Sequence, residues 1–204
     1  MALRMWVLIA SWALFAWWVV ARFRSDRVTK PFVVIWSLVF IVLSWQTWLE
    51  YTWQHNETLY AKAIEPITGP GKNVHCQRLI STFVFAGSEA GHVMYNADGT
   101  ISPQALLTYR TCHDLGVFMA GDKKDPNLAQ IEAIHVLTHE SEHLAAIKVE
   151  ANAECKAMQD DYRVALRLGA SSGVAKGIQL RYARQIYPLM ADDYRTRECV
   201  VPRN

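Results

Sequence analysis

The residues with the clearest chemical potential form one short motif, His139-Glu140-Ser141-Glu142-His143, which matches HExxH. On a helix, positions i and i+4 lie one turn apart on the same face, so both imidazoles can meet one metal ion. Two imidazoles with open positions beside them suit Zn²⁺. Glu140 is placed to accept a proton from a water molecule at such a site. The motif therefore predicts metal-assisted hydrolysis, with His139 and His143 as ligands and Glu140 as the base.

A third ligand must come from elsewhere in the chain. The third histidine of the HExxHxxGxxH pattern is excluded, because Ala146 and Val149 occupy the Gly and His positions. The run from Glu150 to Glu154 instead has the ExxA form of peptidases that take a glutamate from the next helix. We expect Glu150 to bind the metal and Glu154 to accept the N–H of a ligating histidine. The reverse assignment, with Glu154 as the ligand and Glu150 as a solvated charge, stays open.

His135 lies one helical turn before His139, on nearly the same face. It is expected to stand behind the ligands, to touch the metal or to be a packing residue. A purely structural zinc site would need a fourth protein ligand, which His135 or His113 would supply. An oxyanion formed during hydrolysis needs a hydrogen-bond donor. The pattern does not choose among the tyrosines downstream of the motif: Tyr162, Tyr182, Tyr187 and Tyr194.

Local signals predict the elements that position these residues. Ser102-Pro103 and Asp125-Pro126 each combine a capping residue with a following proline, which is typical of a helix start. They predict one helix to about Phe118 and a second one through His143. Further helices are expected over about residues 151–168 and 172–190. The β-branched and aromatic segments at 79–85 and 92–95 predict two strands of a small sheet.

The first quarter of the chain differs in composition from the rest. Seven of the eight Trp, but only six charged residues, precede residue 50. Residues 5–21 and 31–49 carry no charge and are long enough to span a bilayer, which takes roughly 17–25 apolar residues. Four basic residues lie in the intervening segment 22–30, so the positive-inside rule places this loop in the cytoplasm and both termini outside. A cleaved signal peptide over residues 1–21 is the alternative.

The remainder is mixed in charge and contains all four cysteines. With 16 basic and 18 acidic side chains and no basic run after residue 49, a nucleic-acid partner is not expected. No cysteine lies in a CxxC pair. In an exported domain four such cysteines predict two disulfides with three possible pairings. We favour Cys76–Cys112 and Cys155–Cys199. Four buried free thiols are the alternative for a cytosolic domain.

Residues 135–144 and 150–159 resemble a group of largely uncharacterised exported zincin-like proteins, similar to minimal gluzincins, from actinobacteria and their phages. The resemblance extends over roughly residues 76–199 and includes Leu168-Gly169-Ala170, Tyr187-Pro188 and the segment 194–199. It implies a metallopeptidase domain behind a membrane anchor and no particular substrate. The chain departs from the pattern at Glu142, where an uncharged residue is usual, and at Ala145-Ala146, where glycine is usual.

These observations predict an α+β, helix-rich zincin-like domain with a small β-sheet, preceded by two transmembrane helices. The expected boundaries are 1–49 for the membrane hairpin, 50–71 for a linker that ends in a Thr-Gly-Pro-Gly breaker, and 72–204 for the outer domain. The expected function is a zinc-dependent peptidase that is anchored in the bilayer and cleaves protein or peptide substrates outside the cytoplasmic membrane. The alternatives are a binding or assembly protein with structural zinc, and a phage envelope factor that acts mainly through its hairpin.

Overall fold

A computed structural model describes residues 3–24, 30–78, 90–96, 98–200 and 202. The chain forms two compact units, Met1–His55 and Asn56–Asn204. It is 70% helical, with a small three-stranded sheet among the described residues and two long apolar helices at the N-terminus. The expected helix-rich class with a small sheet is therefore confirmed.

The first unit is a helical hairpin of α1 (Leu3–Arg24) and the beginning of α2 (Lys30–Thr68). Both helices are long and apolar enough to cross a membrane. Aromatic side chains join them: the Trp12 and Phe40 rings lie 5.3 Å apart edge to face. The indole N–H of Trp12 donates to Oγ1 of Thr47 at 3.0 Å. Interhelical hydrogen bonds of this kind stabilise helix pairs in apolar surroundings.

Helix α2 has 39 residues and continues into the second unit. Residues 50–68, which were expected either to continue the second helix or to form a linker, are helical throughout. In the second unit Tyr60 and Ile64 are fully buried, and the Tyr60 hydroxyl donates to the Cys112 carbonyl at 3.3 Å. The helix ends at Thr68, followed by Gly69 with a φ of 74°. Its last turns therefore belong to the core of the second unit.

The sheet comprises β1 (Asn73–Cys76), β2 (Gly91–Tyr95) and β3 (Ile101–Leu107) in the order β1-β3-β2. Strand β1 runs parallel to β3, and β2 runs antiparallel to it. The strand expected at 92–95 is confirmed as part of β2. The strand expected at 79–85 lies outside the described residues.

The predicted helix start at Ser102-Pro103 is wrong, because both residues lie in β3. Strand β3 pairs with β2 at Ile101 and at Ala105, and the register is irregular between these pairs. Pro103 falls in that irregular stretch, so its missing N–H breaks no regular ladder. The helix α3 (Tyr109–Ala120) begins only after Thr108, whose side chain caps it.

Three further helices follow in the described part of the unit: α4 (Leu128–Leu144), α5 (Glu150–Arg167) and α6 (Ser172–Arg181). Helix α4 starts two residues later than Asp125-Pro126 indicates, because Asn127 and Gln130 form a capping box. Helix α6 ends earlier than expected. It passes into a π-helical turn at Tyr182–Ile186 and a 3₁₀ turn at Tyr187–Leu189, where a proline at position 188 removes a backbone donor.

Two disulfides fasten the second unit. Cys76–Cys112 joins β1 to α3, and Cys155–Cys199 joins α5 to the C-terminal tail, which we define as residues 190–200. The Cα–Cα distances are 5.9 Å and 5.5 Å, within the usual range for disulfides. The favoured cysteine pairing is therefore confirmed.

Candidate metal centre

Helices α4 and α5 pack against each other and present complementary faces. Spacings of four residues place His135, His139 and His143 on one face of α4. The opposing face of α5 carries its acidic residues at positions 150, 154 and 161. The two faces meet in antiparallel order, so the last histidine faces the first carboxylate and the first histidine faces the last.

Three atoms converge where α4 ends and α5 begins. Nε2 of His139 and Nε2 of His143 lie 3.0 Å apart. Oε2 of Glu150 lies 3.1 Å from the first of these nitrogens and 3.3 Å from the second. Both histidines are buried, whereas the Glu150 side chain is 42% exposed. The expected ligands His139, His143 and Glu150 are thus brought together at one point.

Hydrogen bonds behind the rings fix which nitrogen faces this point. Nδ1 of His143 lies 2.7 Å from the Ile147 carbonyl, and Nδ1 of His139 lies 3.1 Å from Oε2 of Glu154. Both oxygens are acceptors, so each Nδ1 is placed to donate, and Nε2 is the ring atom that faces the shared point. Two imidazole nitrogens and a carboxylate oxygen thus lie close enough together to bind one cation.

The donor set fits a zinc-type ion. Ligand atoms on a tetrahedral Zn²⁺ with bonds of about 2.0–2.1 Å lie about 3.3 Å apart, and the three separations here are 3.0, 3.1 and 3.3 Å. Two imidazoles and one carboxylate are the ligands of many zinc hydrolases. The two buried histidines and the partly exposed Glu150 could therefore hold a metal ion.

Glu154 connects the ligands to the interior. Its Oε2 accepts from Nδ1 of His139 and also from Nε2 of His135 at 2.9 Å, and its Oε1 accepts from the Tyr182 hydroxyl at 2.6 Å. Burial alone would raise the pKa of Glu154. The neighbouring His135 and these hydrogen bonds outweigh burial and hold the pKa well below its usual range. Three donors thus engage Glu154 and fix the orientation of the His139 ring.

His135 lies between two buried carboxylates. Its Nδ1 is 2.9 Å from Oδ2 of Asp161, and the Tyr182 ring stacks on it with centroids 3.5 Å apart. Burial favours the neutral ring, but Asp161 and Glu154 outweigh that effect and raise the pKa of His135 to about 10. Burial raises the pKa of Asp161, and His135 opposes this rise. Both nitrogens of His135 are therefore occupied as donors to carboxylates.

The turn between the two helices sets the distance between their ligands. Ala146 adopts a φ of 74°, and its N–H donates to the carbonyl of His143. The next N–H, of Ile147, reaches back to the carbonyl of Glu142, which makes this a Schellman ending. The same turn aims the Ile147 carbonyl at Nδ1 of His143. The departure from glycine at this turn therefore leaves an alanine in the left-handed region.

The point at which His139, His143 and Glu150 converge is called the metal point below. Glu142, the other departure from the usual motif, does not face it. It is 2% exposed and faces Asp160 of α5, which is also buried. Burial, together with this second carboxyl group, raises the pKa of Glu142 to about 7. The side chain therefore belongs to the interface of α4 and α5.

A cleft of about 190 Å³ opens on the metal point. Glu140 lines it together with both histidine ligands and Glu150. The remaining walls come from β2, the α4–α5 turn and the tail, through Gly91, His92, Val93, Tyr95, Lys148 and Tyr194. The arrangement brings the Glu140 carboxylate and the three converging atoms of His139, His143 and Glu150 to one cleft.

Several residues of this site were not predicted from the sequence. Asp161 lies seven residues after Glu154, two turns along the same helix face, and that spacing is the signal that would have indicated it. Gly91, His92 and Lys148 carry no comparable signal. His113 does not line the cleft; it is half exposed and lies beside Asp114.

The four tyrosines considered as possible donors lie in different surroundings. Tyr182 is buried behind the ligands, and Tyr194 lines the cleft. Tyr162 pairs with Ser172, and the Tyr187 hydroxyl accepts from the tail.

Comparison of the chain with protein-family models, with curated proteins and with solved structures finds no match.

Proposed function

We propose that this protein is a membrane-anchored zinc-dependent metallopeptidase that cleaves peptide bonds outside the cytoplasmic membrane. The observation that carries the proposal is the convergence of three metal-binding atoms, from His139, His143 and Glu150, at a cleft that also contains Glu140. A zinc ion at that point would polarise the scissile carbonyl and lower the pKa of the attacking water.

The residues of the chain divide the remaining work. Glu140 accepts a proton as water adds to the carbonyl carbon, and it returns that proton to the amine as the C–N bond breaks. Glu154 keeps the His139 ring in the orientation that directs Nε2 at the metal point. His135 and Tyr182 donate to Glu154, which holds its charge in a buried place.

A structural zinc site is the second candidate, and the surroundings of His135 and His113, the two histidines expected as its fourth ligand, disfavour it. A closed site needs a fourth protein ligand with a free lone pair. Both nitrogens of His135 face carboxylate oxygens. His113, the other proposed fourth ligand, lies half exposed beside Asp114 and does not line the cleft. The open side of the cleft is therefore available for water and a substrate.

The membrane arrangement in this proposal rests on charge and on the cysteines. Two N-terminal helices are long and apolar enough to span a bilayer, and four basic residues lie in or beside the segment that joins them. That asymmetry favours a cytoplasmic loop with both termini outside. Two disulfides in the second unit suit an oxidising compartment.

Zinc content and peptide cleavage by the full-length protein in detergent micelles test the function. We expect one zinc per chain and cleavage of a mixed peptide library. His139→Ala should lose both properties, whereas Glu140→Gln should keep zinc and lose cleavage. His113→Ala is the matched control and should keep both. Absence of zinc from the wild-type protein contradicts the metal site, and activity in Glu140→Gln contradicts the assigned base.

The proposed membrane topology is tested by a separate experiment. Ser25→Cys in the loop and Lys124→Cys, whose native side chain is 84% exposed, supply two reporter thiols. A membrane-impermeant maleimide should label only the second in intact cells. Labelling of Ser25→Cys without lysis contradicts the proposed topology.

A further inference from the structure

The C-terminal tail returns to the metal centre after α6. It forms a 3₁₀ turn at Asp192–Tyr194 that contacts α5, and Tyr194 is a wall of the cleft. The centroid of its ring lies 5.9 Å from that of His139. Tyr194 is half-buried, so one part of the side chain faces the protein and another part faces the open cleft.

Part of this tail is held by exposed polar contacts. Its 3₁₀ turn contains no buried residue. Arg195 pairs with Asp192 within the tail and donates to the Pro188 carbonyl at 3.5 Å, and the Thr196 N–H donates to the Tyr187 hydroxyl at 3.4 Å. Long hydrogen bonds and exposed ion pairs contribute little to stability. The Cys155–Cys199 disulfide adds a covalent constraint that does not depend on these contacts.

That link ends on the helix of the metal centre. Cys155 follows Glu154 directly and lies on α5 with Glu150, and Cys199 is five residues beyond Tyr194. A disulfide at this position holds the tail beside the ligands of α5 and limits how far Tyr194 can move from the cleft.

We infer that Tyr194 is a substrate-contacting residue, that the Cys155–Cys199 disulfide is its positioning element, and that the ring packs against an aromatic or large apolar group of the substrate. The inference rests on the proposed function, because the contact is made by a ligand at the metal point. Aromatic pairs favour offset or edge-to-face packing at centroid distances of about 4.5–7 Å. A half-buried tyrosine beside an open metal position offers such a surface.

Two hydroxamates distinguish a contact with the Tyr194 ring from binding to the metal. Acetohydroxamate and benzohydroxamate chelate through the same group, and only the second carries a ring. Their affinities are measured by visible absorption of the Co²⁺-loaded full-length protein in micelles. We expect Tyr194→Ala to reduce the preference for benzohydroxamate about 3- to 10-fold and to leave acetohydroxamate binding unchanged. Tyr194→Phe, which keeps the ring, should retain the preference.

The disulfides provide a matched pair of controls. Cys155→Ser/Cys199→Ser should lose the preference as Tyr194→Ala does, while Cys76→Ser/Cys112→Ser, which opens a loop of similar length, should keep it. An unchanged preference in Tyr194→Ala overturns the inference and leaves the metal site standing. Loss of Co²⁺ binding in Cys155→Ser/Cys199→Ser contradicts a positioning role for that disulfide. Absence of a Co²⁺ spectrum in the wild-type protein overturns the proposed function and this inference together.

Discussion

Gly91 lies against the side chain of Glu140, the residue placed to act as the base. A Cβ at position 91 would stand 2.9 Å from both Cγ and Oε1 of Glu140, and 2.9 Å from Cδ2 of Leu107. Such distances are shorter than van der Waals contact, so a side chain here requires movement of its neighbours. The backbone of β2 therefore helps to define where the carboxylate lies.

Gly91→Ala should lower peptide hydrolysis and preserve zinc. The added methyl group displaces Glu140, while the ligands His139 and His143 remain in place. Because a displacement of about 1 Å can cost about 100-fold in rate, we expect kcat to fall about 10- to 100-fold with one zinc still bound per chain. Metal analysis and steady-state kinetics on the same sample measure both effects.

Gly177→Ala is the matched control for this prediction. Nothing lies within 4 Å of a Cβ at position 177, which is inside α6. Alanine there should stabilise the helix by about 0.5–1 kcal/mol and leave kcat unchanged. An equal loss of kcat in both variants would mean that the loss in Gly91→Ala does not come from its contact with Glu140.

The helical part of the site was predictable because its signals are local. The spacing of His139, His143, Glu150 and Glu154 places them on facing helices, since i and i+4 share a face. The start of α4 was misplaced by two residues because Asn127 competes with Asp125 as the cap. Local sequence patterns therefore predict which residues share the site. They predict the first residue of each helix less accurately.

The features that were not predicted from the sequence depend on tertiary structure. Pro103 reads as a helix start, yet irregular pairing between β2 and β3 accommodates it within a strand. Gly91 and Tyr194 reach the cleft only because a strand and a tail fold back on α4 and α5. No spacing along the chain records these approaches, so the sequence does not indicate Gly91 and does not distinguish Tyr194 among the four candidate tyrosines.

Glu154→Gln should weaken zinc binding without abolishing it. The amide has one acceptor oxygen in place of two, so it cannot serve His135, His139 and Tyr182 as the carboxylate does. Loss of such an orienting partner typically costs 10- to 100-fold in metal affinity. Competition with a chelating dye gives the affinity. Glu150→Gln should cost more, because it alters a ligand. The reverse order would identify Glu154 as the ligand.

His135→Gln should destabilise the metal-free protein in a pH-dependent way. The ring bridges Asp161 and Glu154, and breaking a buried charge pair costs about 3–5 kcal/mol. The pKa of His135 is raised from 6.5 to about 10, so its contribution is complete below pH 6.5 and is lost as the pH rises towards 10. Urea unfolding of chelator-treated protein should show the largest difference from wild type near pH 6 and a smaller one at pH 9. A difference that stays constant over this range contradicts an imidazolium between the two carboxylates.

Ala146→Gly should stabilise the protein, because Ala146 has a φ of 74° at the Schellman ending of α4. The left-handed conformation costs about 1–2 kcal/mol for a residue with a Cβ, and the greater freedom of glycine in the unfolded chain offsets part of this gain. We expect a net gain of about 0.5–1 kcal/mol in the free energy of unfolding. The neighbouring Ala145 has a φ of −83°, so Ala145→Gly should instead cost about 0.5–1 kcal/mol. Urea unfolding of the two variants beside the wild-type protein measures the difference, and the same sign in both would show that the strain at Ala146 does not limit stability.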